Sequence, residues 1–433
     1  MITSNEVRDL GIVGAGGAGF PTHVKLRSAS EFVILNAAEC EPLLHKDKEL
    51  LARHPDQVLE GLRVAMSLTG ARKGIIGIKA KHRSILETLS RRLTDNLRLE
   101  PLGDFYPAGD EVTLVYLTTG RVLQPGALPI HAGCLVQNVE TLFNLAAGVP
   151  VTDKWLTVAG AVDCPATLKV PVGTPFRDVL SRFALTAMNP VLRSGGLLMG
   201  VLEPDWNSVV TKTTGGLVVL PADHPAAVTF SRYASERQTV RTAKASCDQC
   251  TFCTELCPRY LLGHPVRPET AMRNRMFGRE SVEFLHPGNA FCCECNLCTL
   301  YACPEGLDPK GATVMEKKAA HTGLPRWEGL PAKVHPMFPF RKVPTARLKQ
   351  RLGVAGFTDE AQFSSLDINP DAVRIPLKQH IGKPARPVVK RGDTVTRGQV
   401  IAAADGDVSS AVHASINGRV EDVLANEILI RRA

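Results

Sequence analysis

The sequence predicts a multidomain α/β protein, and three observations carry that prediction. The chain has 433 residues, too many for one hydrophobic core, so several domains are expected. Its first third alternates apolar runs with helical patterns, as strands interleaved with helices do. Nine of its 12 cysteines fall between Cys247 and Cys303, which marks a compact module of another kind.

Residues 1–150 form the first predicted domain. "EFVILNAAE" reads as a buried strand ending in polar residues, and "KGIIGIKA" as another. "LLARHPDQVLEGLRVAMSLTG" reads as helix with a glycine stop, and His54-Pro55 is placed to split it. "HRSILETLSRRLTDN" reads as a further helix. Over 151–235 the pattern changes. "WLTVAGAV", "ATLKVPVGTPFRDVLSRF", "GGLLMGVL" and "GGLVVLP" give short β runs, one helix and glycine turns, hence a small α+β module. The cysteine module spans 240–315, and a Pro- and Lys-rich connector with some helix spans 316–369. Over 370–433, Arg-Gly-Asp, Asp-Gly-Asp and Asn-Gly turns separate alternating apolar residues, which predicts a small β-barrel or flattened sandwich.

The cysteines fall into two cassettes. "CDQCTFCTELCP" spaces Cys247, Cys250, Cys253 and Cys257 as C-x2-C-x2-C-x3-C-P. "CCECNLCTLYACP" repeats the first three spacings with Cys292, Cys295 and Cys298, and Cys303 follows before Pro304. Three cysteines at x2 intervals wrap one face of a cubane, and the fourth comes from a distance. In two-cluster ferredoxins that fourth cysteine ligates the other cluster. One [4Fe–4S] centre is therefore expected on Cys247, Cys250, Cys253 and Cys303, and a second on Cys292, Cys295, Cys298 and Cys257. Cys293 is a spare neighbour that could replace Cys292. The competing reading, two four-cysteine zinc sites, fits poorly, because zinc ribbons separate two C-x2-C knuckles widely. Cys40, Cys134 and Cys164 lack metal spacing, and the last two are expected as packing residues.

The net charge of +8 invites a nucleic-acid reading, but the basic residues are scattered, with only pairs such as Arg91-Arg92 and Arg431-Arg432. Two cysteine-ligated clusters at about −2 each would offset about half of that charge in the loaded protein. No nucleic acid is expected. No apolar run reaches membrane-span length, and "MITSNEVRDL" has no signal-peptide core. The expected location is cytoplasmic.

"GIVGAGGAGFPTH", Gly11 to His23, contains G-x-G-x-x-G at Gly14, Gly16 and Gly19. A dinucleotide turn needs a strand before it and a helix after it. Only Ile12 and Val13 precede it directly, behind polar "SNEVRD", and Pro21 interrupts the expected helix; Glu39 sits where the acidic residue of that motif belongs. The more general use of such a loop is to let backbone N–H groups approach a phosphate or flat ring, with Lys25 nearby as a cation. A plain flexible turn is the bland alternative.

Three later stretches join the loop: "NAAECEP" (Asn36–Pro42), "YPAGDE" (Tyr106–Glu111) and "NVETLFNLA" (Asn138–Ala146). In this order the four resemble the flavin-binding subunit of respiratory complex I and its relatives. The 151–235 module resembles that family's soluble-ligand-binding β-grasp domain. The C-terminal "HIGKPARPVVKRGDTVTRGQVIAAADGDVSSAVHASINGRV" resembles the barrel-sandwich of the Rnf complex C subunit. The domain order resembles the cobalamin reductases of propanediol-utilisation microcompartments.

The resemblance implies FMN held by Gly14, Gly16, Gly17, Lys25, Asn36, Glu39, Tyr106, Gly109, Asp110, Asn138 and Thr141. It implies NADH as co-substrate, docking and reacting near Phe20, Glu41 and Glu111. Ala15 and Asp110 depart from the family's usual Arg and Glu. The implied activity is an NADH-dependent flavo-iron–sulfur oxidoreductase that reduces corrinoid cobalt. An adenosyltransferase and shell proteins are the implied partners, inside a bacterial microcompartment. Ferredoxin, flavodoxin or a quinone-linked subunit are alternative acceptors, and a non-enzymatic electron-transfer scaffold is the alternative of another class. The barrel-sandwich resembles lipoyl and biotinyl domains, but its turn "SSAVHAS" has no lysine to carry a group, so docking or support is expected.

Overall fold

In the computed structural model, residues 2–279, 281–319 and 327–432 are described. Residue 280 of the predicted cysteine module and 320–326 of the predicted connector lie outside the described residues. The first sheet has four parallel strands in the order Leu97–Leu102, Lys73–Lys79, Phe32–Ala37, Cys134–Asn138. Its central strand buries Val33, Ile34 and Leu35 completely, as expected of a parallel strand covered on both faces. The chain builds outward from Phe32–Ala37 on one side and returns to place Cys134–Asn138 on the other. That reversal opens a crevice at the carboxyl ends of the two strands, where open α/β sheets bind ligands.

The predicted long helix is two, Lys46–Arg53 and Pro55–Thr69, broken at His54 with Pro55 starting the second. Gly70 closes it in a left-handed conformation, φ +69°. Gly61 lets this helix meet Val139–Ala147 backbone to backbone, since a Cβ there would lie 1.9 Å from the Leu142 carbonyl oxygen. The helix expected from "HRSILETLSRRLTDN" stops early, at Arg83–Ser90. The edge strand Leu97–Leu102, half exposed and carrying Arg98, Glu100 and Pro101, had no clear alternation to reveal it.

The second sheet has five strands in the order Ala166–Pro171, Asp153–Gly160, Gly216–Pro221, Pro190–Ser194, Val201–Glu203. Here "GGLLMG" is a tight loop, not a strand. Gly195 and Gly196 take φ +85° and +125°, and a Cβ on Gly200 would lie 2.1 Å from the Gly196 carbonyl oxygen.

Helix Glu236–Ser246 leads into the cysteine module, whose short helices pack around Ala243, Ala271, Met272, Leu307 and Ala312. The segment after it does more than connect. Val343–Pro344 pairs antiparallel with Phe105–Tyr106 of the first domain. Phe363 stacks at 5.0 Å from Trp155 of the second, and its amide reaches Glu49 at 3.1 Å. The C-terminal strands form a four-stranded and a three-stranded sheet around Val373, Ile375, Ile401, Val412, Val420 and Ile430. Cys134 is fully buried, but Cys164 is exposed on a turn, which corrects its expected packing role. Among the described residues no helix is long and apolar enough to cross a membrane.

Candidate functional site

The glycine loop is a hairpin that precedes the first strand. Val13 bridges Pro21 antiparallel, the Gly14 amide donates to the Phe20 carbonyl at 2.9 Å, and a five-residue helix, Thr22–Leu26, follows. A strand–turn–helix dinucleotide motif is not built this way. Both backbone groups of Ala15 are fixed: its amide donates to Thr141 Oγ1 at 2.9 Å and its carbonyl accepts from Lys154 Nζ at 3.0 Å. The tip, Gly16, Gly17 and Ala18, is exposed, and its amides donate to no acceptor among the described residues. Gly17 has φ +113°, a conformation glycine adopts without strain. An anchored base with free N–H groups at the tip fits a phosphate-bearing cofactor such as FMN.

Asn36 and Asn138 face one another in register at the carboxyl ends of strands Phe32–Ala37 and Cys134–Asn138, beside this tip. A Cβ on Gly16 would touch Asn138 at 3.5 Å. Asn36 Nδ2 donates to the Gly109 carbonyl at 2.8 Å, and Asn138 caps helix Val139–Ala147 while donating to Asp47 at 2.7 Å. Gly109 admits no side chain, because its Cβ would lie 2.9 Å from the Ala38 carbonyl oxygen.

Below the loop lies a buried charge network that no sequence motif announces. Lys46 Nζ meets Asp47 at 2.6 Å and Glu140 at 3.3 Å, Lys154 also grips Glu140, and the Trp155 amide donates to Glu140 at 2.9 Å. Burial pulls the Lys154 ammonium down to about 8 despite Glu140. Burial opposes the charge on Lys46 as well, but Asp47, Glu140 and Glu39 outweigh it and hold its pKa above the ordinary value. Glu39 accepts the Asp47 and Lys48 amides at 3.2 and 3.3 Å; burial and the adjacent Asp47 raise its pKa. Within this network only Glu39 was a candidate, because lysines and carboxylates on separate elements show no spacing in sequence.

The remaining candidates divide. Lys25 pairs with Glu111 at 2.9 Å and donates to the Val136 carbonyl at 3.3 Å, both half-exposed at the crevice with Phe20 on the loop. Glu41 is turned away, its carboxylate taking the Leu198 and Met199 amides at 2.9 and 2.8 Å from the "GGLLMG" loop. Tyr106 is buried and donates to the Cys295 carbonyl at 2.8 Å. Asp110 caps helix Glu111–Thr119 and takes Arg259 bidentately, at 2.7 and 2.8 Å. The last two thus face the cysteine module.

Cys247, Cys250, Cys253 and Cys303 line one cavity, with Glu269 and Met272 on its wall. Cys257 neighbours Cys292 and Cys293, and Cys295 neighbours Cys257 and Cys298. The residues between the cysteines adopt left-handed backbone at matching places: Gln249 and Thr251 (φ +58° and +68°), Glu294 and Asn296 (φ +58° and +64°). Four non-glycine residues in that region, in two loops 45 residues apart, describe one repeated concave turn. Backbone amides already aim at sulfur, Glu294 N to Cys292 Sγ and Leu307 N to Cys303 Sγ, each 3.3 Å. Among the described residues no three His, Cys, Asp or Glu side chains gather tightly enough for a single metal ion. A cubane, a far larger body, spreads its four thiolates wider, and the loops fit one. Burial pushes Cys253 up to about 12, so loading iron releases protons.

Residues 7–147 match the Nuo51 FMN-binding domain, 246–308 a 4Fe-4S dicluster domain and 356–430 the RnfC barrel sandwich hybrid domain. Cobalamin reductases PduS of Salmonella typhimurium and Citrobacter freundii are each 40% identical to this chain, covering 99% of it and 96% of their own length. The C subunit of the Na(+)-translocating ferredoxin:NAD(+) oxidoreductase complex of Acetobacterium woodii is 35% identical over 59% of the chain and 57% of its own. An NAD+-reducing [NiFe]-hydrogenase structure shares the fold over 74% of this chain and 63% of its own, with a TM-score of 0.50 at 21% identity. The cofactors are FMN and [4Fe–4S] clusters. The chain belongs to the PduS cobalamin reductase family.

Proposed function

We propose that the protein oxidises NADH at FMN and passes the electrons singly through two [4Fe–4S] clusters to corrinoid cobalt. One observation carries this reading. The flavin-domain stretch Tyr106–Asp110 is bonded directly to the second cysteine loop and to Arg259, two residues after Cys257. Bound FMN supplies the exchange between a two-electron hydride donor and one-electron acceptors.

The protein's own part is orientation. The free amides of Gly16, Gly17 and Ala18 receive the phosphate, and Lys25, held by Glu111, adds a cation. Gly14 and Thr141 fix the loop's base, while Asn36, Gly109 and Asn138 shape the crevice above the strand ends. Glu39 holds the Asp47 and Lys48 amides beneath. Phe20 and Glu111 border the nicotinamide side, and Glu41 holds the "GGLLMG" loop in place. Cys247, Cys250, Cys253 and Cys303 hold one cluster, and Cys292, Cys295, Cys298 and Cys257 the other. Action inside a propanediol microcompartment, with an adenosyltransferase and shell proteins as neighbours, is part of the proposal and rests on the resemblance of the domain order.

The test is anaerobic. Protein reconstituted with FMN and iron, carrying about eight irons per chain, should bleach on addition of NADH and then reduce cob(III)alamin and cob(II)alamin. Absence of bleaching leaves a scaffold. Bleaching with ferredoxin reduced and corrinoid untouched replaces the acceptor.

A further inference from the structure

Asp110 and Arg259 are each nearly buried, with side-chain exposures of 13% and 12%, and they join through two short parallel bonds. Such a fork is geometrically specific as well as strong. Arg259 lies in the short helix Pro258–Leu261, whose first residue follows Cys257. It therefore stands two residues from a cysteine of the inner site. On the other side, Asp110 follows Gly109, whose carbonyl takes Asn36 Nδ2 at the end of the central strand. The chain of contact from crevice to cysteine loop is thus Asn36, Gly109, Asp110, Arg259. Tyr106 Oη on the Cys295 carbonyl runs beside it. The other cavity, walled by Cys247, Cys250, Cys253 and Cys303, has no such link to the flavin domain among the described contacts, and Cys250 is exposed.

We infer that the Asp110–Arg259 pair is a positioning and potential-setting device, and that the centre on Cys257, Cys292, Cys295 and Cys298 is the first electron acceptor. The inference rests on the flavin and cluster assignments above. With the groups bound, Cys257, Cys292, Cys295 and Cys298 would hold the centre that takes electrons singly from flavin reduced by hydride, two electrons and one proton leaving the flavin for each NADH oxidised, and Cys247, Cys250, Cys253 and Cys303 would hold the centre beyond it. Reduction adds negative charge to the inner cluster. A fixed cation two residues from Cys257 would stabilise the reduced form and raise its potential, and the carboxylate paired with it would offset part of that.

The experiment is a redox titration of the loaded full-length protein followed by electron paramagnetic resonance. Cys250→Ser identifies the outer centre's signal. Arg259→Gln should lower the inner midpoint by at least a tenfold change in equilibrium constant, about 59 mV for one electron, with the outer midpoint unmoved. Asp110→Asn keeps the helix cap but frees the guanidinium, so it should shift the inner midpoint upward. Arg259→Lys should restore the midpoint while still slowing inner-cluster reduction after NADH bleaches the flavin. Opposite signs from the two charge removals are what a merely structural contact cannot produce. If Arg259→Gln does not hold iron, the upward shift in Asp110→Asn decides. The inference fails if neither variant moves the inner midpoint, if the outer one moves instead, or if the outer centre reduces first. A wild-type protein that binds no flavin or iron would overturn the earlier assignments instead.

Discussion

Cys250 stands exposed on the first cysteine loop, while Cys295, 45 positions later in the same repeat, is buried beneath Tyr106. The loops share their spacing and their left-handed residues, Gln249 with Glu294 and Thr251 with Asn296. Their surroundings differ. The second loop meets the flavin domain through Tyr106 and the "GGLLMG" loop through Asn296, whose Nδ2 donates to the Leu198 carbonyl at 3.1 Å. The first loop looks outward, and Phe252 within it is exposed. A repeated local turn thus serves two stations, and its neighbours decide which is which.

The comparison breaks most severely at the thiols. Cys295→Ser and Cys250→Ser should each leave about four irons per chain. In Cys295→Ser, NADH should bleach the flavin without fast reduction of the surviving cluster. In Cys250→Ser, the surviving cluster should still reduce, with delivery to the corrinoid lost. Equal behaviour of the two variants in rapid-mixing absorbance would erase the inner–outer distinction.

Tyr106→Phe comes next. It strands the buried Cys295 carbonyl without its donor, a cost of about 1–3 kcal/mol. The melting temperature should fall, and the inner centre's resonance should broaden while the outer one stays sharp.

His264 tests the joint on the other side. Its Nε2 meets the Leu123 carbonyl at 2.8 Å, tying the helix after the first loop to the flavin domain. Burial, then the nearby Arg259, depress its pKa to about 4. In the unfolded chain it titrates near 6.5. The unfolded state therefore binds the proton first, and stability falls as pH drops from about 6.5 towards 4. Denaturant titrations should show that slope, and His264→Gln should flatten it.

The smallest effect concerns the left-handed residues. Thr251 is β-branched and poorly suited to φ +68°, so Thr251→Gly should stabilise the first loop by up to about 1 kcal/mol. Asn tolerates that region, and Asn296→Gly also loses the bond to Leu198, so it should destabilise. Matched thermal melts of the loaded proteins separate the two.

Much of this was legible in residues alone. The glycine loop, "NAAECEP", "YPAGDE" and "NVET" could be read because short motifs carry backbone requirements that few residues meet. The parallel strands were legible as apolar runs, whereas Leu97–Leu102 was hidden by its half-exposed edge position. Lys46, Glu140 and Lys154 were not legible, since a charge network assembled from separate elements leaves no periodic trace. Arg259 was illegible for the same reason: its partner lies 149 residues away.

The sequence by itself determined the chemistry: cysteine spacing names a cubane, because thiolates must reach iron from one short loop. It also determined the loop that can approach a phosphate, because only glycine leaves that space. Only the tertiary structure decided which cluster loop lies against the flavin domain, where Asp110 and Tyr106 point, and what Glu41 holds. Those depend on contacts between residues far apart in the chain, and such contacts are fixed by packing and burial, not by local pattern.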